Sequence, residues 1–114
     1  MEKIYEQTML FDFYGELLTE HQRSIYEDAV YNDMSLGEIA QERGISRQGV
    51  HDMLTRAAQR LFDMEEKLGM AARFQRMTSG LERCRSLLKE QRYDEAEGVI
   101  DTLIRLDQEE NNGL

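Results

Sequence analysis

The sequence predicts an all-α protein, and three observations predict it. Proline is absent from the 114 residues. Strong helix formers (Glu, Leu, Arg, Gln) dominate the composition. Apolar residues recur at spacings of three and four, and no alternating stretch bounded by turn residues is long enough for a strand. Hydrophobic residues make up 40% of the chain, which is enough for a core. The predicted organisation is a helix-turn-helix domain over residues 1–68, a C-terminal helical hairpin over 69–108, and a frayed tail over 109–114.

The first amphipathic helix covers Ile4 to Leu18. Met9, Leu10, Phe13, Tyr14, Leu17 and Leu18 fall on one wide face, and Phe11 falls off it. This face reads as the core side of the helix, and its width, with Phe11 exposed off it, also predicts a homodimer seam. Thr19 caps the next helix, with Gln22 in the capping-box position, and that helix buries Ile25, Ala29, Tyr26 and Val30 before Asn32 and Asp33 break it.

Ser35 to His51 is the most specific stretch. Ser35 and Glu38 form a capping box that starts a helix at Leu36, whose Leu36, Ile39 and Ala40 share a face. Gly44 supplies the left-handed turn, Ile45 plugs it, and Ser46 caps a second helix. Val50, Met53, Leu54, Ala57 and Leu61 form the inward stripe of that helix, which has no stop signal before Gly69. This is the layout of a helix-turn-helix with a long recognition helix. The downstream patterns cover Ala71 to Gln91, with Gly80 a candidate kink, and Tyr93 to Asp107. Arg92-Tyr93-Asp94-Glu95-Ala96 looks like the turn of a tetratricopeptide-type hairpin, without a repeat at solenoid period.

A net charge of −9 argues against nucleic acid, but its distribution argues for it. Residues 1–45 carry three basic and ten acidic side chains, and residues 93–114 carry one and seven. Between them, residues 46–92 carry ten basic and six acidic side chains. The candidate nucleic-acid-binding residues are therefore Ser46, Arg47, Gln48, His51, Thr55, Arg56 and Arg60 on the recognition helix. Arg and Gln at a helix N-terminus suit bidentate contacts to guanine and adenine edges, and Arg56 and Arg60 suit the phosphate backbone. His51 faces outward, where it either touches a base edge or phosphate or is simply solvated. Arg73, Arg76, Arg83, Arg85, Lys89 and Arg92 form a secondary basic face. The competing reading pairs these arginines with the acidic ends inside the fold.

Other chemistry is thinly represented. His21 and His51 lie in separate helices, no Cys/His cluster has metal spacing, and no glycine-rich phosphate loop follows a strand. The expectation is no enzyme, no metal and no cofactor. The single cysteine, Cys84, cannot form an intrachain disulfide and reads as a small apolar residue. No signal peptide is visible, and no apolar run reaches the roughly 20 residues that span a bilayer, so no membrane insertion and a cytoplasmic location are expected.

Thr19 to Leu61 resembles region 4 of bacterial sigma factors, through Leu18-Thr19, Gln22-Arg23, Ser35-Leu-Gly-Glu-Ile-Ala40 and Gly44-Ile-Ser-Arg-Gln48. With Met9-Leu-Phe-Asp-Phe-Tyr14 and Leu17-Leu-Thr19 added, residues 4–75 resemble the YlxM family of small bacterial helix-turn-helix proteins. The resemblance implies a cytoplasmic, non-enzymatic bacterial protein linked to the signal recognition particle pathway, in gene neighbourhood with the GTPase Ffh and its receptor FtsY. Gly49 and His51 depart from the Ala and Tyr expected there. Two functions follow. One is a DNA-binding regulator, with signal recognition particle RNA as another nucleic-acid target. The other is an adaptor that docks Ffh or that RNA through the basic C-terminal helices.

Overall fold

The computed structural model describes residues 2–112, with side chains placed over 6–110. It is helical throughout those residues: α1 (Glu2–Tyr14), a 3-10 turn at Gly15–Leu17, α2 (Glu20–Val30), α3 (Leu36–Arg43), α4 (Arg47–Leu68), α5 (Met70–Lys89) and α6 (Tyr93–Asn112). The chain divides into two compact units between Ala71 and Ala72. That is three residues beyond the expected boundary, because the first two residues of α5 belong to the first unit.

Local chemistry accounts for the helix starts. Thr19 Oγ1 accepts from the Gln22 amide, and the Gln22 side chain accepts from the Thr19 amide. Ser35 and Glu38 make the same reciprocal pair at α3, and those hydrogen bonds hold the Glu38 carboxyl below its ordinary pKa. Gly44 ends α3 at φ 68°, a conformation that costs a residue with Cβ about 1–2 kcal/mol. Ser46 then caps α4 by accepting from the Gly49 amide at 2.9 Å.

The core of the first unit has two parts. Ile25, Ile39, Ala40 and Val50 pack where α2, α3 and α4 meet, which sets the angle of the motif. Leu10, Tyr14, Leu18, Tyr26, Ala57, Leu61 and Ala71 pack where α1 crosses α2 and α4. A hydrogen-bonded clamp closes this second cluster. Tyr14 Oη donates to Glu65 Oε1 at 2.6 Å and accepts from the Met70 amide at 3.0 Å, while the Ala71 amide donates to the same Glu65 oxygen at 3.0 Å. Tyr14 and Glu65 thereby satisfy the orphan amides of Met70 and Ala71 at the start of α5. Burial first, then the Glu65 carboxylate, raises the Tyr14 pKa.

Several expectations change. The first helix gives way to the 3-10 turn at Gly15, so Leu17 is exposed while Leu18 turns inward. Phe11 is not an exposed seam residue: its ring stacks on Tyr26 with centroids 5.2 Å apart. Leu36 and Ile45 remain partly exposed, leaving Ile39 and Ala40 as the buried pair of α3. Gly80 is no kink. It lets α6 approach α5, since a Cβ there would stand 2.6 Å from Leu103 Cδ2. Residues 109–112 continue α6 instead of fraying, and 113–114 lie outside the described residues.

Within the second unit, α5 and α6 run antiparallel around Cys84, Leu87 and Ala96. Cys84 packs as a small apolar residue, with its Sγ donating to the Ala96 carbonyl at 3.6 Å. Gln91, at φ 60°, makes the turn.

Candidate nucleic-acid interface

The motif is built from α3, the Gly44 turn and α4. Val50 and Ala57 are fully buried against the other helices, so the rest of the α4 surface is fixed by helical geometry. Four of the expected residues sit at its exposed start. Ser46 is engaged in the cap, which uses an acceptor lone pair and leaves its hydroxyl proton to donate. Arg47 folds back along α3: a Cβ on Gly37 would lie 3.1 Å from Arg47 Nη2. Gln48 Nε2 donates to Asp52 Oδ1 at 2.9 Å, and His51 Nδ1 lies 3.7 Å from the same oxygen. An acid therefore stands in the middle of the outward ridge.

The remaining residues divide between two flanks. His51, Thr55, Ala58 and Phe62, at positions i, i+4, i+7 and i+11, line a shallow groove of about 450 Å³ together with Leu54, Gln59 and Gln7 of α1. Arg56 and Arg60, one turn apart, occupy the other flank. Gln59 and Phe62 were absent from the expected set, although the same helical spacing that carries His51 and Thr55 identifies them.

The electrostatic contrast along the chain is clear. Among the described residues, no carboxylate lies within ion-pair distance of Arg47, Arg56 or Arg60. Arg43, by contrast, is structural. Its Nη2 donates to Ser24 Oγ at 2.8 Å and to Asp28 Oδ2 at 2.7 Å, and holds the Asp28 carboxyl below the ordinary carboxylate range. In the second unit half of the expected basic face is consumed, three residues of six. Arg73 pairs with Asp107 and Glu110, Arg76 with Glu110, and Arg92 with Glu90 and Glu95. Acidic α6 lies beside basic α5, so these arginines meet carboxylates of their own hairpin. Arg83, Arg85 and Lys89 remain exposed.

A family model described as "Putative helix-turn-helix protein, YlxM / p13 like" (UPF0122) matches residues 1–100. The chain belongs to the UPF0122 family. It is similar to a UPF0122 protein of Acetivibrio thermocellus, 51% identical over 74 residues, which are 65% of this chain and 63% of the relative. A UPF0122 protein of Thermoanaerobacter sp. (strain X514) is 43% identical over 102 residues, 86% of this chain and 87% of the relative. One from Bacillus cereus (strain AH187) is 37% identical over 109 residues, 94% and 99% respectively. The UPF0122 family is a helix-turn-helix family and not a known enzyme family. No helix of the described residues is long and apolar enough to cross a membrane.

Proposed function

We propose that this UPF0122 chain is a non-enzymatic, cytoplasmic DNA-binding regulator that inserts the start of α4 into the major groove. The observation that carries the reading is that, among the described residues, no carboxylate pairs with Arg47, Arg56 or Arg60, when Arg73, Arg76 and Arg92 are all ion-paired. Cations without an internal partner are those with charge left to neutralise phosphates. In this reading Arg47 leaves Gly37 to contact a guanine edge, and Gln48 exchanges Asp52 for an adenine. Arg56 and Arg60 hold the backbone. His51 and Thr55 belong to the groove flank and contribute less than their exposure alone suggests.

A few such contacts give a modest affinity, with a salt slope of roughly −3, at about −0.9 for each phosphate neutralised. Two motifs acting together raise it. A role in the signal recognition particle pathway comes from the resemblance to YlxM proteins. An RNA of that pathway, or Ffh, would meet Arg83, Arg85 and Lys89, exposed cations of α5.

The test is selection of bound sequences from random duplex DNA, followed by anisotropy titration. Arg47→Ala is expected to relax base preference at one position, at a cost of about 1–3 kcal/mol. Arg56→Ala is expected to weaken all sequences alike, and Arg73→Ala to leave affinity unchanged. Retained affinity in both Arg47→Ala and Arg56→Ala rules out groove insertion. Enrichment of structured RNA with no duplex binding moves the function to the hairpin.

A further inference from the structure

The hairpin exposes large apolar side chains in a definite pattern. Phe74, Leu81 and Leu88 of α5 recur every seven residues and are 55%, 55% and 49% exposed. Tyr93, Ile100 and Ile104 of α6 are spaced by seven and four residues and are 61%, 40% and 51% exposed. Seven residues are close to two helical turns, so each set forms one stripe, as in a helix that packs against a further helix.

Helical geometry puts both stripes on the same side. The inward face of α5 is marked by Gly80 against Leu103 and by Cys84 against Ala96. Each exposed stripe lies about 90° round its helix from that inward line, in the same rotational sense. Because α5 and α6 are antiparallel, equal rotations bring both stripes out on one broad side of the hairpin. The register set by Gly80–Leu103 and Cys84–Ala96 makes Leu88 about level with Tyr93, and Leu81 with Ile100. The result is one two-helix apolar face rather than scattered residues.

Charge selects the occupant. Helix α5 carries five basic side chains and one acidic, whereas α6 carries one basic and seven acidic. We propose that this face packs against the same face of a second copy of the chain, giving a four-helix bundle in which α5 lies on α6 of the partner copy. A two-fold axis parallel to the helices produces that arrangement, with neighbouring helices antiparallel and both turns at one end. It brings basic α5 onto acidic α6 twice. The perpendicular two-fold would stack α5 on α5 and α6 on α6, like charge on like. Beside the apolar stripe, Arg85 on the outer flank of α5 comes level with Glu97 on the outer flank of α6 in the other copy. The face is about 30 Å long and about 20 Å wide, so the pair buries roughly 1,200 Å² in total, within the range of specific interfaces. This surface replaces the first helix as the dimer seam, since Phe11 is stacked on Tyr26. The proposal stands apart from DNA binding, and its test contains no nucleic acid.

The test is sedimentation equilibrium of the full chain over a wide concentration range. The expected result is a reversible monomer–dimer equilibrium. Leu81→Glu and Ile100→Glu are each expected to weaken it by on the order of 100-fold while helicity by circular dichroism is retained, because each puts a charge into the apolar seam. Arg85→Glu and Glu97→Arg are each expected to weaken it by about tenfold, and the double variant to restore it, because both partners exchange sign together. A monomer at every concentration overturns the proposal. So does a dimer unaffected by Leu81→Glu and Ile100→Glu, or a double variant no tighter than the single ones.

Discussion

The two units of this chain dispose of charge and apolar surface in opposite ways. In the first unit most apolar residues of α1, α2 and α4 pack into two clusters, with Phe62 and Leu68 of α4 left exposed, and among the described residues no carboxylate lies within ion-pair distance of the arginines of α4. In the second unit three of the seven basic side chains are tied to carboxylates, and six large apolar residues stand exposed on one side. A surface that keeps its cations unpaired is suited to an anionic ligand. One that spends its cations internally and leaves apolar stripes is suited to another helical surface. The same sequence features, basic residues and apolar heptads, therefore mean different things in the two regions.

The largest effect that sharpens this contrast is expected in the first core. Leu61 is fully buried between α1 and α4, so Leu61→Ala is expected to cost about 3–4 kcal/mol in urea unfolding and to lower DNA affinity with it. In the hairpin, Gly80→Val drives a branched side chain into Leu103, at an expected cost of about 2 kcal/mol. Hydrogen exchange is expected to locate that loss in α5 and α6, leaving the protection of α3 and α4 intact. A loss spread evenly over both units would break the division.

The Arg43–Asp28 pair comes next. It is only partly exposed, and the Arg43 Nε proton is left without a partner, which limits its value to about 1 kcal/mol. The folded-state pKa of Asp28 is depressed, so the stabilisation is present above the ordinary carboxylate range and is lost as pH falls through the depressed value. Arg43→Ala is accordingly expected to be less stable than the parent at neutral pH, with the gap closing in acid. Thermal melts at a series of pH values check this. The smallest effect is at Asp52. Removing its charge with Asp52→Asn is expected to tighten DNA binding by about 0.5 kcal/mol, with a shallower difference at high salt, measured by anisotropy titration.

Much of the fold was legible from local chemistry. Both capping boxes, the Gly44 turn, the Ser46 cap and the full extent of α4 to Gly69 follow from side chains within four positions of one another. What failed did so where the deciding partner is remote in sequence. Phe11 reads as exposed on a helical wheel, yet Tyr26 of α2 covers it. Gly80 reads as a kink until Leu103 is seen pressing against it. Glu65 sits on α4, and only the fold brings it to Tyr14 Oη and the Ala71 amide, where it ties α1 to the start of α5. The charged side chains divide the same way. Gln48, Arg56 and Arg60 are exposed on α4 and Arg47 lies back along α3, whereas Arg73, Arg76 and Arg92 are neutralised by residues of their own hairpin.

The sequence by itself determined the helices, their starts and stops, and the helix-turn-helix, because hydrogen bonds between near neighbours and the 3.6-residue repeat act without knowledge of the rest of the chain. Only the tertiary structure decided which arginines keep their charge for a ligand and which apolar stripes stay bare. Both outcomes depend on what a distant segment brings within a few ångströms, and Coulomb attraction and burial are properties of that proximity, not of the residue type.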